Sequence, residues 1–358
     1  MAHACPRVKH AAARPEGMDR AHQRGIRAHA GVGRTAGPAT PISERSSRGV
    51  TSPLMTKIAR PIIIVGTGRC GSTVFHRLLS LHPQVMWLSG FSERYPDRPT
   101  WNRWAVTAMG NTLLRGLFGG RVRPSEAYAF WDRHAYGFSE PCRDLIRTDV
   151  TARVKKQVRA ALEPMLTPAR DRLLIKITGW PRIGFLNEIF EDAKFVHIVR
   201  DGRAVASSLL HVHFWRGWYG PQGWRAGLLS PEDQATWESY DRSFTALAGL
   251  EWRIQMRAME AARRTLDPNR FCEVKYETFC ERPLETYRRV LEFTELPPSA
   301  DFERQVRTAS IKDMSQRWRN DLTPGQQALL DDLLREDLVR YGYGASHEAE
   351  QVRESVGR

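Results

Sequence analysis

The chain contains no run approaching the ~18 apolar residues of a membrane-spanning helix, so no membrane span is expected. Cysteine is scarce and scattered. Cys5, Cys70, Cys142, Cys272 and Cys280 form no C-x-x-C pair and no metal-ligand spacing, so the set reads as free thiols in a reducing, cytoplasmic setting, with no metal. Acidic side chains are the minority, 40 against 54 Lys and Arg, for a formal net charge of +14. That balance suits an anionic ligand, nucleic acid or an anionic membrane surface, and charge alone does not choose between them.

Part of the basic excess is local. Residues 1–56 hold nine Lys and Arg against three Asp and Glu, so +6 of the +14 lies there. This segment is rich in Ala, Arg, Gly, Pro, Ser and His, lacks an apolar period, and is expected to be a disordered basic extension. It also resembles an organelle transit peptide, or the result of a misassigned start, since Met55 stands directly before the first strand. The folded domain is expected over 57–345, with a loose tail at 346–358. At 358 residues the chain is long enough for a full core, and its alternating strands and helices favour one α/β domain with a central parallel sheet.

The densest signal is Pro61 to Ser80. Ile62, Ile63, Ile64 and Val65 predict a short buried strand, and Val74, Phe75, Leu78 and Leu79 then follow helical spacing. Between them, Gly66, Gly68 and Gly71 permit sharp turns that bring backbone N–H groups close to an anion. Ser72 and Thr73 add hydroxyls at the helix N-terminus, where unpaired amides already favour negative charge. The segment reads as an anion cradle.

Two familiar chemistries miss this loop. Gly66 and Gly71 have the spacing of a nucleotide triphosphatase loop, but Ser72 stands where that loop carries its lysine. A phosphatase thiolate at Cys70 would need arginine at position 76, where the chain has His76.

A second strand–loop–helix follows at Phe195 to Ser208. Its apolar strand ends in Arg200, and the helix starting near Gly202 brings Ser208 back toward the strand end, so a guanidinium and a hydroxyl can meet one phosphate. Further strands are expected at Gln84–Leu88, Arg172–Thr178 and Arg270–Tyr276. Lys176 interrupts an apolar strand, where a lysine either snorkels or meets an anion. Single helical stretches are expected over Pro231–Thr265 and Pro324–Tyr341. Residues 91–148, crowded with aromatics and arginines, are expected to cover the sheet's carboxyl edge, where open α/β sheets bind ligands. The stretch His211–Trp224 interleaves aromatics with Gly and Pro and suggests a loop over a substrate. Its His-x-His pair lacks a third ligand at metal spacing.

Gly66-Thr67-Gly68-Arg69-Cys70-Gly71-Ser72-Thr73, followed by Leu78-Leu79-Ser80-Leu81-His82-Pro83, resembles the phosphosulfate loop of PAPS-dependent sulfotransferases, especially their bacterial and heparan-type branch. Phe195–Ser208 resembles the family's 3′-phosphate element. Two motifs in the right order make the resemblance specific, and it extends over about 60–343.

The resemblance implies a P-loop-like sulfotransferase fold and sulfuryl transfer from PAPS to a hydroxyl, or less readily an amine, with PAP released and no metal. Gly68, Arg69, Cys70, Gly71, Ser72 and Thr73 would hold the 5′-phosphosulfate, Arg69 acting also in catalysis. Arg200 and Ser208 would hold the 3′-phosphate, with Arg317 of the Arg317-Trp318-Arg319 segment as a further ligand. Tyr276 would lie against the adenine, and Lys176 beside the transferred group. The family's cytosolic branch carries a catalytic histidine where this chain has Thr178, so the base is expected instead at Glu93, as in the heparan-type branch, with Glu140, His211 and His213 as alternatives. The acceptor is a hydroxyl-bearing carbohydrate, lipid or small molecule, and no nucleic-acid partner is expected. The competing readings are a P-loop kinase or other phosphotransferase, and a non-catalytic anion- or nucleic-acid-binding protein.

Overall fold

Ile62, Ile63, Ile64 and Val65 are wholly buried and, with Gly66, form the central strand β1 (Ile62–Gly66). A strand buried on both faces reads as an unbroken apolar run because helices cover both sides of a parallel sheet. Strands β2 (Val85–Trp87), β3 (Arg172–Thr178), β4 (Lys194–Val199) and β5 (Phe271–Lys275) complete the sheet. All pairings are parallel, in the order β2-β3-β1-β4-β5. The computed structural model describes residues 57–110, 114, 122–140 and 142–344. The segments expected to be loose, 1–56 and 346–358, lie outside the described residues.

Because β1 sits between β3 and β4 while its own helix leads out to β2, the chain diverges on either side of β1. Crevices for ligands form at such switch points, beyond the carboxyl ends of the strands. The register sets what lines this one: Ile64 pairs with Lys176, and Gly66 pairs with both Thr178 and Ile198. Lys176 and Thr178 are two residues apart and therefore share a face of β3.

Two expected long helices are each divided. Pro231–Ser239 and Phe244–Arg263 are separate helices, because Asp241 and Arg242 both turn left-handed (φ 53) and the Ser243 side chain accepts from Ala246 N–H to start a new helix. Pro324–Leu333 and Arg335–Arg340 likewise break at Leu334. Helix Gly202–Leu210 packs on Phe244–Arg263 within a second apolar cluster that includes Val199, Trp252 and Leu330.

Cys70, Cys272 and Cys280 are free thiols, whereas Cys142 is disulfide-bonded. The expectation of free thiols throughout fails at Cys142, since spacing along the chain does not decide pairing. Among the described residues, no helix is long and apolar enough to cross a membrane.

Candidate active site

The loop after β1 opens helix Ser72–Leu79. Gly71 caps it in the left-handed region (φ 88), and a Cβ at this position would lie 2.2 Å from Tyr276 Cδ2. Only glycine lets the Tyr276 ring pack directly on the loop backbone. Arg69 is also left-handed (φ 67), which costs a non-glycine residue about 1–2 kcal/mol. Its side chain is held by a hydrogen bond from Nε to the Ser208 hydroxyl at 2.9 Å.

Arg200 ends β4, is nearly buried, and lies over the Tyr276 ring at 4.5 Å. It donates from Nη1 to the Arg69 carbonyl at 2.9 Å and from Nη2 to the Met314 carbonyl at 2.5 Å. Its Nε is buried without a partner. The guanidinium thus clamps the 66–71 loop to Met314 and leaves its buried Nε without an acceptor, a state that is costly unless something arrives to accept from it.

Lys176 is 6% exposed, and its ammonium bridges two partners. Nζ is 3.0 Å from the Thr73 hydroxyl and 2.7 Å from Glu126 Oε1. Thr178 donates its hydroxyl to the same Glu126 carboxylate at 3.0 Å, and Tyr128 donates to the Thr178 carbonyl at 3.1 Å. Burial, with Glu126 nearby, pushes the Tyr128 phenol well above its ordinary value, so it remains a neutral donor.

Thr73, Glu126, Lys176 and Thr178 line a cavity of about 480 Å³ together with Gly68, Arg69 and Arg200. A second cavity of about 230 Å³ shares Arg69 and Arg200 with it, and adds Ser208, His211, Tyr276 and Arg317. Together they make a cationic trough along the loop and around the end of β4. Burial pushes the Cys70 thiol up, which argues against a thiolate nucleophile in the loop. Burial first, and then Lys176, drives His76 down to about 3, so the imidazole behind the loop is neutral.

Most of the residues singled out from the sequence come together here, and four do not: the wholly buried Cys70, Glu93, Glu140 and His213 line neither cavity. Glu93, on helix Gly90–Arg94, turns its carboxylate to the Ala129 N–H at 3.2 Å and does not line the cavity. Glu140 and His213 also lie outside both sets of lining residues. His211 lines the smaller cavity, with Nδ1 2.8 Å from the Ser207 carbonyl oxygen. Arg317 lines it too, and pairs with Asp321 at 2.8 Å.

Sequence reasoning missed Glu126, which carries no motif. It reaches Lys176 because the chain, after leaving the edge of β2, returns there: Ser89 bridges Pro124, and Ser125 N–H donates to the Leu88 carbonyl at 2.8 Å. Thr178, noted only as a departure from a pattern, orients that carboxylate.

A family model described as a sulfotransferase family matches residues 61–301. An omega-hydroxy-beta-dihydromenaquinone-9 sulfotransferase of Mycobacterium tuberculosis is 29% identical over 181 residues, 49% of this chain and 42% of that protein. Its Mycobacterium bovis counterpart gives the same figures. The match therefore spans less than half the length of these curated relatives. Among solved structures, sulfotransferase STF9 from Mycobacterium avium is 18% identical with a TM-score of 0.47, covering 79% of this chain and 77% of that one. Mouse sulfotransferase SULT7A1 complexed with PAP is 11% identical with a TM-score of 0.41, covering 82% and 89%.

Proposed function

This chain belongs to the sulfotransferase family, and from that membership we propose that it transfers a sulfuryl group from PAPS to an acceptor hydroxyl and releases PAP. The observation that carries the reading is the meeting of a buried lysine, a loop hydroxyl and a carboxylate at the carboxyl edge of the sheet, in a cavity that also holds Arg69 and Arg200. Sulfuryl transfer needs these parts: cations and amides for the anionic donor, and a base for the acceptor.

In this reading the amides of 70–73 and Arg69 hold the 5′-phosphosulfate. The unspent Arg200 Nε and the Ser208 hydroxyl receive the 3′-phosphate, with Arg317 at the rim and Tyr276 as the wall beside the adenine. The acceptor oxygen attacks sulfur in line, and the bond from sulfur to the bridging oxygen of the donor breaks. The electron pair leaves on the phosphate oxygen of PAP, where Lys176 meets the growing charge. Glu126 takes the acceptor proton, replacing Glu93 in that role. The charge is met by the chain's own cations, and the reading invokes no metal.

The curated mycobacterial relatives are named for a hydroxylated menaquinone derivative, and Phe214 faces the larger cavity. Both support an apolar, hydroxyl-bearing acceptor. Calorimetry tests the donor site. PAP should bind about tenfold or more tightly than adenosine 5′-phosphosulfate, because one charge-assisted bond is worth ~1.5–3 kcal/mol. Equal affinities would remove the 3′-phosphate assignment, and a requirement for magnesium would favour a phosphotransferase.

A further inference from the structure

Beyond helix Gly202–Leu210, the stretch from Val212 to Leu228 is fixed from inside. Trp215 and Trp224 are buried; the Trp215 indole N–H donates to Glu251 at 2.6 Å, and that of Trp224 donates to the Gly227 carbonyl. A Cβ on Gly217 would lie 2.0 Å from the Trp215 ring, so this ring rests on the loop's own main chain. Yet the loop turns its other large side chains outward. Phe214 is 59% exposed, Trp218 43%, Tyr219 76% and Leu228 75%. Trp218 also meets the half-exposed ring of Phe244 edge-on at 5.1 Å. Exposed apolar groups gathered in this way mark an interaction surface.

Two observations say what kind. The segment's own charge is of one sign: no Asp or Glu occurs between Asp201 and Glu232, while Arg225 is exposed and Arg216 is half-buried, and the Glu251 carboxylate that meets the loop is held beneath it by the Trp215 indole, near Arg225. The surface also continues into the reaction cavity, because Phe214 lines it with Lys176 and Glu126 and lies 5.8 Å from the Arg69 guanidinium.

We infer that this ledge docks the protein onto an anionic lipid bilayer. Trp218 and Tyr219 sit at headgroup level and Arg216 and Arg225 face lipid phosphates, so the cavity opens against the layer that holds an apolar acceptor. Amphipathic rings and arginines on a segment with no Asp or Glu of its own are the composition such an interface selects. The docking proposed is peripheral and uses the ledge alone; among the described residues, no helix is long and apolar enough to cross a membrane. The inference rests on the apolar acceptor proposed above, but docking is measured without turnover.

The test is flotation of the full chain with vesicles of phosphatidylcholine alone and of phosphatidylcholine with phosphatidylglycerol. Binding should require the anionic lipid and weaken with salt, and should fall about tenfold for each of Trp218→Ser and Tyr219→Ser. Brominated lipid should quench part of the tryptophan fluorescence, and that part should be missing in Trp218→Ser. The basic 1–56 segment is common to every variant, so absence of binding, or binding unchanged in the double variant, would overturn the inference. A raised KM for a short water-soluble acceptor with unaltered vesicle partition would also overturn it, by making the ledge an acceptor subsite. PAP affinity of each variant serves as the check on folding. If the parental chain fails to bind PAP, the sulfotransferase reading falls while the vesicle result stands.

Discussion

Lys176 Nζ lies 2.7 Å from Glu126 Oε1 and 3.0 Å from the Thr73 hydroxyl, so one ammonium links the carboxylate to the phosphate loop. Both partners are largely shielded, at 6% and 20% side-chain exposure. A bound phosphosulfate would compete with Glu126 for that ammonium. The carboxylate would then be free to accept a proton only once the donor is in place, which couples donor binding to activation of the acceptor.

That coupling separates binding from chemistry. Glu126→Gln should lower kcat by about 10²–10⁴, the usual contribution of a general base. PAP affinity should hold or rise, because Lys176 no longer has a competing carboxylate. Glu93→Gln should turn over at near-normal rate, since its carboxylate is engaged by the Ala129 N–H. Single-turnover rates and calorimetry on both variants decide the matter. Full activity in Glu126→Gln with collapse in Glu93→Gln would return the base to Glu93.

Lys176→Ala should reduce turnover far more than PAP affinity, because the charge it meets develops mainly during transfer. It also leaves Glu126 without its cation. In a double-mutant cycle, Lys176→Ala with Glu126→Gln should therefore be clearly non-additive in kcat. Additive losses would mean that the two act independently, against the bridge seen at 2.7 Å.

Much of this arrangement was legible in the sequence, for physical reasons that differ by element. β1 is fully buried and β3 is buried as far as Ile177, so their apolar runs marked them closely, and β3 falls at Arg172–Thr178 as expected. The loop after β1 showed itself because its glycines and the helix start at Ser72 follow in close order. A strand and a helix of known rise were enough to bring Ser208 to the cavity that Arg200 lines, but the bond of its hydroxyl to Arg69 joins a loop to a helix far along the chain and has no local spacing to show it. Glu126 stayed hidden because its position depends on the Ser89–Pro124 bridge closing a long excursion, and a single carboxylate after such an excursion leaves no periodic trace. The break at Asp241 and Arg242 was missed because left-handed backbone at non-glycine residues has little sequence signature.

Gly71→Ala tests the contact between loop and tyrosine. The new methyl would fall 2.2 Å from the Tyr276 ring at a backbone φ of 88, so ring and loop must separate and the residue is strained besides. The variant should lose PAP affinity at least tenfold and unfold at lower temperature, with strain of about 1–3 kcal/mol. Adding Tyr276→Ala removes the collision but not the strained φ. The double variant should therefore recover part of the lost stability without recovering nucleotide binding, and recovery of both would mean that the loop does not need its left-handed turn.

His76 gives a pH signature. Its folded pKa is pushed down to about 3 from 6.5, first by burial and then by Lys176, so between those values the unfolded chain binds a proton that the folded chain refuses. Stability contributed by neutral His76 is present above pH 6.5 and is lost as pH falls below it, at up to about 1.4 kcal/mol per pH unit. His82, lowered mainly by burial, acts in the same direction. Urea unfolding at pH 7.5 and pH 5 should show a steep acid-side loss in the parental chain. His76→Gln should flatten that slope whatever it does to absolute stability, because Gln has no proton to refuse. An unchanged slope in the variant would mean that other groups carry the acid sensitivity and that His76 titrates freely in the folded protein.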